Sequence, residues 1–123
     1  MEELDIVVDL PVICTRGMIV FPNHEISLDV GRDFSLKAIE KGVNEFDENI
    51  VFISQINPLD ENTDFEHVYH FGTLCKVKRR IKRDNHGTIK LTVEGQKRVE
   101  ILSLDEKDGC LFAKTRYLED IES

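Results

Sequence analysis

Apolar and polar residues alternate most regularly between Phe71 and Ile101, and the remaining segments can be arranged around that stretch. Thr73, Cys75, Val77 and Ile81, then Ile89, Leu91 and Val93, recur at period two and predict the dry face of a long hairpin. Lys76, Lys78, Arg80, Lys82, Lys90 and Glu94 fall on its wet face. Opposed residues of an antiparallel pair share a face, so the connection decides the register. A two-residue loop at Asn85-His86 would set Lys82 against Ile89, a charge toward the core. A three-residue loop, Asn85-His86-Gly87, sets Ile81 opposite Leu91 and Lys78 opposite Glu94, and is the register the pattern favours. It leaves Arg79 inward against Val93 and Lys82 facing Lys90. Gly95, inside the second strand pattern, predicts a bulge.

Upstream, Leu4, Ile6, Val7 and Val8 suit a strand or an ordered lead-in. Two prolines and a glycine divide Leu10–Pro22 into a short strand, a turn at Arg16-Gly17 and an extended exit at Pro22. Met18, Ile19, Val20 and Phe21 are consecutive, so they cannot all face one side. Ile26, Leu28 and Val30 alternate with polar residues and predict a strand ended by Gly31. Asp33 can cap a helix over residues 33–46 that buries Leu36, Ile39 and Val43, with Phe34 and Ala38 on its flank. Gly42 weakens its last turns by about 1 kcal/mol relative to alanine. Ile50–Ile56, nearly all apolar, predicts a strand covered on both faces, and the acidic run 57–66 a loop. Val99–Leu104 continues the second hairpin strand, Asp105–Gly109 turns, and Cys110–Leu118 forms a last strand.

Chain length and a 41% apolar content fit one domain with a modest core. No apolar run approaches the roughly 20 residues of a membrane helix and no secretory pattern opens the chain, so a cytoplasmic location is expected. The net charge of −8 argues against general nucleic-acid binding. Residues 76–83, with six basic side chains, are the local exception and read first as a solvated strand face. Cys14, Cys75 and Cys110 are widely spaced and expected to be reduced, half-buried strand residues. His67 and His70 stand near Glu66, but no third ligand accompanies them, and no metal is expected. Neither a phosphate-binding glycine loop nor a nucleophile elbow is present, so catalysis by these residues alone is not expected.

Several ordered motifs resemble a known family. Leu10-Pro11-Val12, Arg16-Gly17-Met18-Ile19-Val20-Phe21-Pro22 and Leu28-Asp29-Val30-Gly31-Arg32 look like the start of the amino-terminal domain of the ATP-dependent Lon protease. Phe71-Gly72-Thr73, the basic strand, Gly87 and Val93-Glu94-Gly95-Gln96-Lys97-Arg98-Val99-Glu100-Ile101 are similar to the end of that domain's sheet. Cys14-Thr15 stands where the family usually has Pro-Leu, and Phe34 where it often has lysine.

The resemblance implies a mainly β (α+β) fold: a PUA-like antiparallel β pseudo-barrel with one helix and a long basic-faced hairpin. It implies a domain over 1–118, with 119–123 opening a linker to an AAA+ motor and a Ser-Lys peptidase that these residues do not contain. No cofactor is then expected here, ATP and magnesium belonging to the motor. The implied role is non-catalytic recognition of unfolded, damaged or degron-tagged proteins, with support for the hexamer. Met18, Ile19, Phe21, Phe34 and Phe65, which alternation does not assign firmly to a core, are the candidate substrate contacts. Arg32, Asp33 and Lys37 near the helix start are candidates for contact with other copies of the chain. Self-association as the main role and PUA-like RNA binding are the alternatives, the latter weakened by the absence of aromatics within 76–83.

Overall fold

Period-two patterning governs most of the chain, and the computed structural model accordingly has six strands and one α-helix. The structure describes residues 7–15, 20–31, 33–57, 59, 64–82, 89–107 and 109–117. The elements are β1 (Val7–Thr15), β2 (Glu25–Val30), α1 (Asp33–Glu45), β3 (Asn49–Ser54), a 3₁₀ turn (Phe65–His67), β4 (Phe71–Lys82), β5 (Ile89–Lys107) and β6 (Cys110–Tyr117). Strand order is β2-β5-β4-β3-β1-β6, and a further β5–β6 pairing brings the last strand back to the second. Five strands therefore form a ring of pairings, with β2 outside it on β5. All pairs are antiparallel except β1–β3. That parallel pair needs the long crossover supplied by β2 and α1.

Two apolar clusters follow from the alternation. One lies against α1 and includes Ile13, Ile39, Ile50, Phe52, Val77, Leu91, Val93 and Phe112. The other draws Leu10, Val12, Val51, Ile53, Leu74, Val99 and Ile101 from the strands of the ring. β1 and β3 feed both clusters from opposite faces, which is why Asn49–Ser54 reads as an almost unbroken apolar run. Ala38 is fully buried, not flanking, and packs with Ile39 beneath the sheet. The cysteines are reduced thiols outside any disulfide, more deeply buried than half-buried strand positions would be. Burial pushes the Cys75 thiol up to about 12, so it remains a protonated core group at neutral pH.

The hairpin register differs from the sequence expectation. Lys82 pairs with Ile89, Ile81 with Lys90 and Arg80 with Leu91, the alignment that a two-residue connection would give. The connection itself, including Asn85-His86-Gly87, lies outside the described residues. Farther down, Val77 pairs with Val93 but Arg79 with Thr92, so Lys78 is an extra residue in β4. One inserted residue reverses the alternation. Ile81, expected inward, is consequently 48% exposed, and Arg79 is exposed instead of facing Val93. Lys78 still reaches Glu94 across the strands, Nζ to Oε1 at 3.2 Å.

Gly95 does mark a bulge: Cys75 pairs with Gly95 and Leu74 with Lys97, leaving Gln96 over. A third irregularity, at Leu102, bends β5 again where it pairs with β6. β5 also runs on through Asp105–Lys107, so the turn to β6 is tighter than expected, with Lys107 paired to Cys110 and Gly109 at φ 83°. The predicted turn at Arg16-Gly17 falls outside the described residues.

Gly42 stands in the last turn of α1 for a packing reason. A Cβ there would lie 2.5 Å from Ile50 Cγ1 and 2.9 Å from the Asn49 carbonyl oxygen. Gly42→Ala should therefore destabilise the domain by about 1–3 kcal/mol despite the roughly 1 kcal/mol gain in helix propensity. Urea denaturation checks this; a stabilised variant would contradict the close helix–strand approach.

Candidate functional site

Three exposed aromatic side chains, Phe21, Tyr69 and Phe71, gather where the segment before β2 crosses the start of β4. Val20 is buried, and its carbonyl accepts a 2.6 Å hydrogen bond from Thr73 Oγ1 on β4. Phe21 precedes Pro22, which biases it to extended backbone and turns the next residues sharply. His24 N donates to Phe21 O at 3.2 Å, with Pro22 and Asn23 (φ 68°) between them. Proline followed by a positive-φ asparagine is the sequence of a type II turn. The turn is clamped to the β5 bulge by Asn23 N to Gly95 O and Gly95 N to His24 O, both 2.9 Å. A Cβ on Gly95 would stand 2.3 Å from Phe21 O, so only glycine lets the turn sit this close. Held this way, Phe21 projects outward, 57% exposed, with its ring edge-on to His24 at 6.1 Å.

The opposite wall comes from the entry to β4. Val68 is fully buried and pairs with Gln55, and Tyr69 N donates to Ser54 O at 3.0 Å. Alternation then turns Tyr69 and Phe71 outward, 51% and 50% exposed. Between the walls, Phe52, Ser54, Gly72 and Thr73 line a cleft of about 330 Å³, with Arg98 of β5 at its side. Arg98 and Glu100 stand opposite Thr73 and Phe71, on the same face of the sheet. Arg116 holds Glu100, Nε to Oε1 at 3.2 Å. The Arg98 side chain makes no hydrogen bond or ion pair with another described residue. Among the described residues, the cleft is thus lined by aromatic rings and carries a positive charge at Arg98.

The sequence-derived candidates are distributed unevenly. Phe21 lines the cleft. Met18 and Ile19 lie outside the described residues. Phe34 is the second residue of α1, its side chain also outside the described set. Phe65 is half-buried against the second cluster and stacks on the His70 ring at 3.9 Å, so it is not among the cleft-lining side chains. Of the self-association candidates, Arg32 and the Asp33 side chain fall outside the described residues; Lys37 is exposed, its aliphatic stem over Gly109. Tyr69, Phe71 and Arg98 were not anticipated from sequence. Two aromatics spaced by two at the head of a strand were the available signal.

Nothing in this geometry assembles a nucleophile with a base. Among the described residues, no group of three or more His, Cys, Asp or Glu side chains could hold a metal, and no helix is long and apolar enough to cross a membrane.

Fold comparison defines the class first. The structure is similar to the N-terminal domain of a Mycobacterium avium complex Lon protease (TM-score 0.75, 17% identity, covering 94% of this chain and 57% of that one). It is also similar to the Lon N-terminal domain protein from Xanthomonas campestris (TM-score 0.69, 14% identity, 91% and 60% covered). The mainly β, single-helix, partly closed sheet is therefore that of Lon N-terminal domains. Sequence comparison adds the family. The model described as the ATP-dependent protease La (LON) substrate-binding domain matches residues 9–123, and the chain belongs to that family. Relatives include Lon proteases of Halothermothrix orenii (38% identical, 96% of this chain, 15% of the relative) and Xanthomonas oryzae pv. oryzae (39%, 92% and 13%). The chain thus spans about 15% of the length of the H. orenii relative.

Gly95→Ala should displace the Phe21–His24 turn and destabilise the domain by about 1–3 kcal/mol. Amide chemical shifts of residues 20–24 and denaturant melts report both effects; unchanged shifts with unchanged stability would contradict the clamp.

Proposed function

We propose that this chain is the substrate-holding part of a Lon-type protease and that it captures exposed apolar segments of protein substrates in the Phe21–Tyr69–Phe71 cleft. The observation that carries this reading is three half-exposed aromatic rings around an apolar floor in a chain otherwise rich in surface charge. Exposed apolar patches of this kind are places where water is displaced on binding. Rings with few rotatable bonds lose little entropy when a partner orders them. The family's description as a substrate-binding domain supports the same reading.

A volume of about 330 Å³ accommodates one or two large side chains, so a single domain binds weakly. Several copies held in one assembly would raise apparent affinity through effective concentration. In this reading ATP hydrolysis and peptide-bond cleavage belong to parts of the longer protein beyond these residues, and recognition is this domain's contribution.

Anisotropy titration of a fluorescent unfolded peptide rich in apolar residues tests the proposal. Phe21→Glu or Phe71→Ser should weaken binding about tenfold, the usual size for loss of a central aromatic contact. Arg80→Ser, on the exposed hairpin, should leave it unchanged. Equal affinity for wild type and both cleft variants, with the fold intact by circular dichroism, would refute the assignment.

A further inference from the structure

The cleft reading leaves Arg98 unexplained, and its surroundings point to what it recognises. On the outward face formed by Phe71, Thr73, Arg98 and Glu100, the acidic member is already held by Arg116. The guanidinium of Arg98 stands beside the aromatic walls, with no side-chain partner among the described residues. A cation left unpaired beside an apolar surface favours a ligand that brings a carboxylate together with an apolar side chain.

Resting on the cleft reading, we propose that the site selects segments in which a large apolar residue is followed within one or two positions by Asp or Glu. The apolar side chain fills the space between Phe21 and Phe71, and the side-chain carboxylate meets Arg98. A side-chain carboxylate fits better than a chain-terminal one. Terminal carboxylates are normally cradled by free backbone N–H groups. Here Phe52, Gly72, Thr73 and Arg98 are all ladder residues, and the Tyr69 N–H is spent on Ser54 O. The guanidinium alone offers a single, side-directed contact. The same commitment of backbone disfavours strand addition along the floor, so recognition runs through side chains.

The test uses the 123-residue chain and four labelled peptides of one apolar sequence: Phe followed by Asp, its Asn isostere, and each again with an amidated C-terminus. The Asp peptide should bind about fivefold more tightly than the Asn peptide at low salt, the gap narrowing as salt rises, as expected for a partly exposed ion pair. Amidation should leave the gap unchanged. Arg98→Gln should abolish the gap between the two peptides, and Arg98→Lys should restore part of it. Equal binding of Asp and Asn peptides to wild type overturns the selectivity while leaving the cleft reading intact. Loss of the preference on amidation overturns the side-chain source, and a gap that survives undiminished in Arg98→Gln overturns the charge-recognition role. Failure of all four peptides to bind overturns the cleft reading itself, and this inference with it.

Discussion

One strand has to pair within two differently oriented parts of the sheet, and the rest of the molecule is arranged around how it bends. The first part of β5, from Ile89 to Glu94, lies between β2 and β4, whereas Val99 to Lys107 pairs with β6 and overlaps β4 as far as Glu100. A flat 19-residue strand could not serve both. The extra residues at Gln96 and Leu102 supply the bends, and each bulge increases local twist. Closure of the sheet depends on them, because β6 meets β5 only beyond the first bend.

The first bend also makes room for the cleft. At Gly95 the missing side chain leaves space that the Phe21–His24 turn occupies, and two backbone hydrogen bonds lock the turn there. Thr73 fastens the preceding residue from the other side. Phe21 is therefore exposed on a tightly held backbone, the condition for an apolar contact that loses little entropy on binding. The same strand, three residues past Gly95, presents Arg98 to the cleft. Scaffold geometry and the shape of the aromatic cleft are set by one local irregularity.

Much of this was legible in sequence. β3, α1 and β6 carry strong periodic or continuous apolar patterns, and their predicted spans agree closely with Asn49–Ser54, Asp33–Glu45 and Cys110–Tyr117. Gly95 announced its bulge because glycine has little other reason to interrupt a strand. The bulge at Lys78 left no such mark. A lysine among lysines and arginines gives no hint that it is the extra residue, and the register beyond it inverted, carrying Ile81 outward. Phe21 stood out because four consecutive apolar residues could not all be buried. Tyr69 and Phe71 did not, because their exposure depends on Val68 being drawn under Gln55, a contact between distant parts of the chain. Arg98 was hidden for a similar reason: its significance depends on Glu100 being held by Arg116 across the β5–β6 pair.

On the proposed reading, peptide binding is concentrated at one end of the β5 bend. Amide chemical-shift mapping during titration with an unfolded apolar peptide tests that localisation most directly. The perturbed amides should cluster at Phe21–His24, Phe52–Ser54, Tyr69–Thr73 and Arg98. Perturbations confined to α1, or to the exposed Lys78–Ile81 stretch of the hairpin, would contradict it.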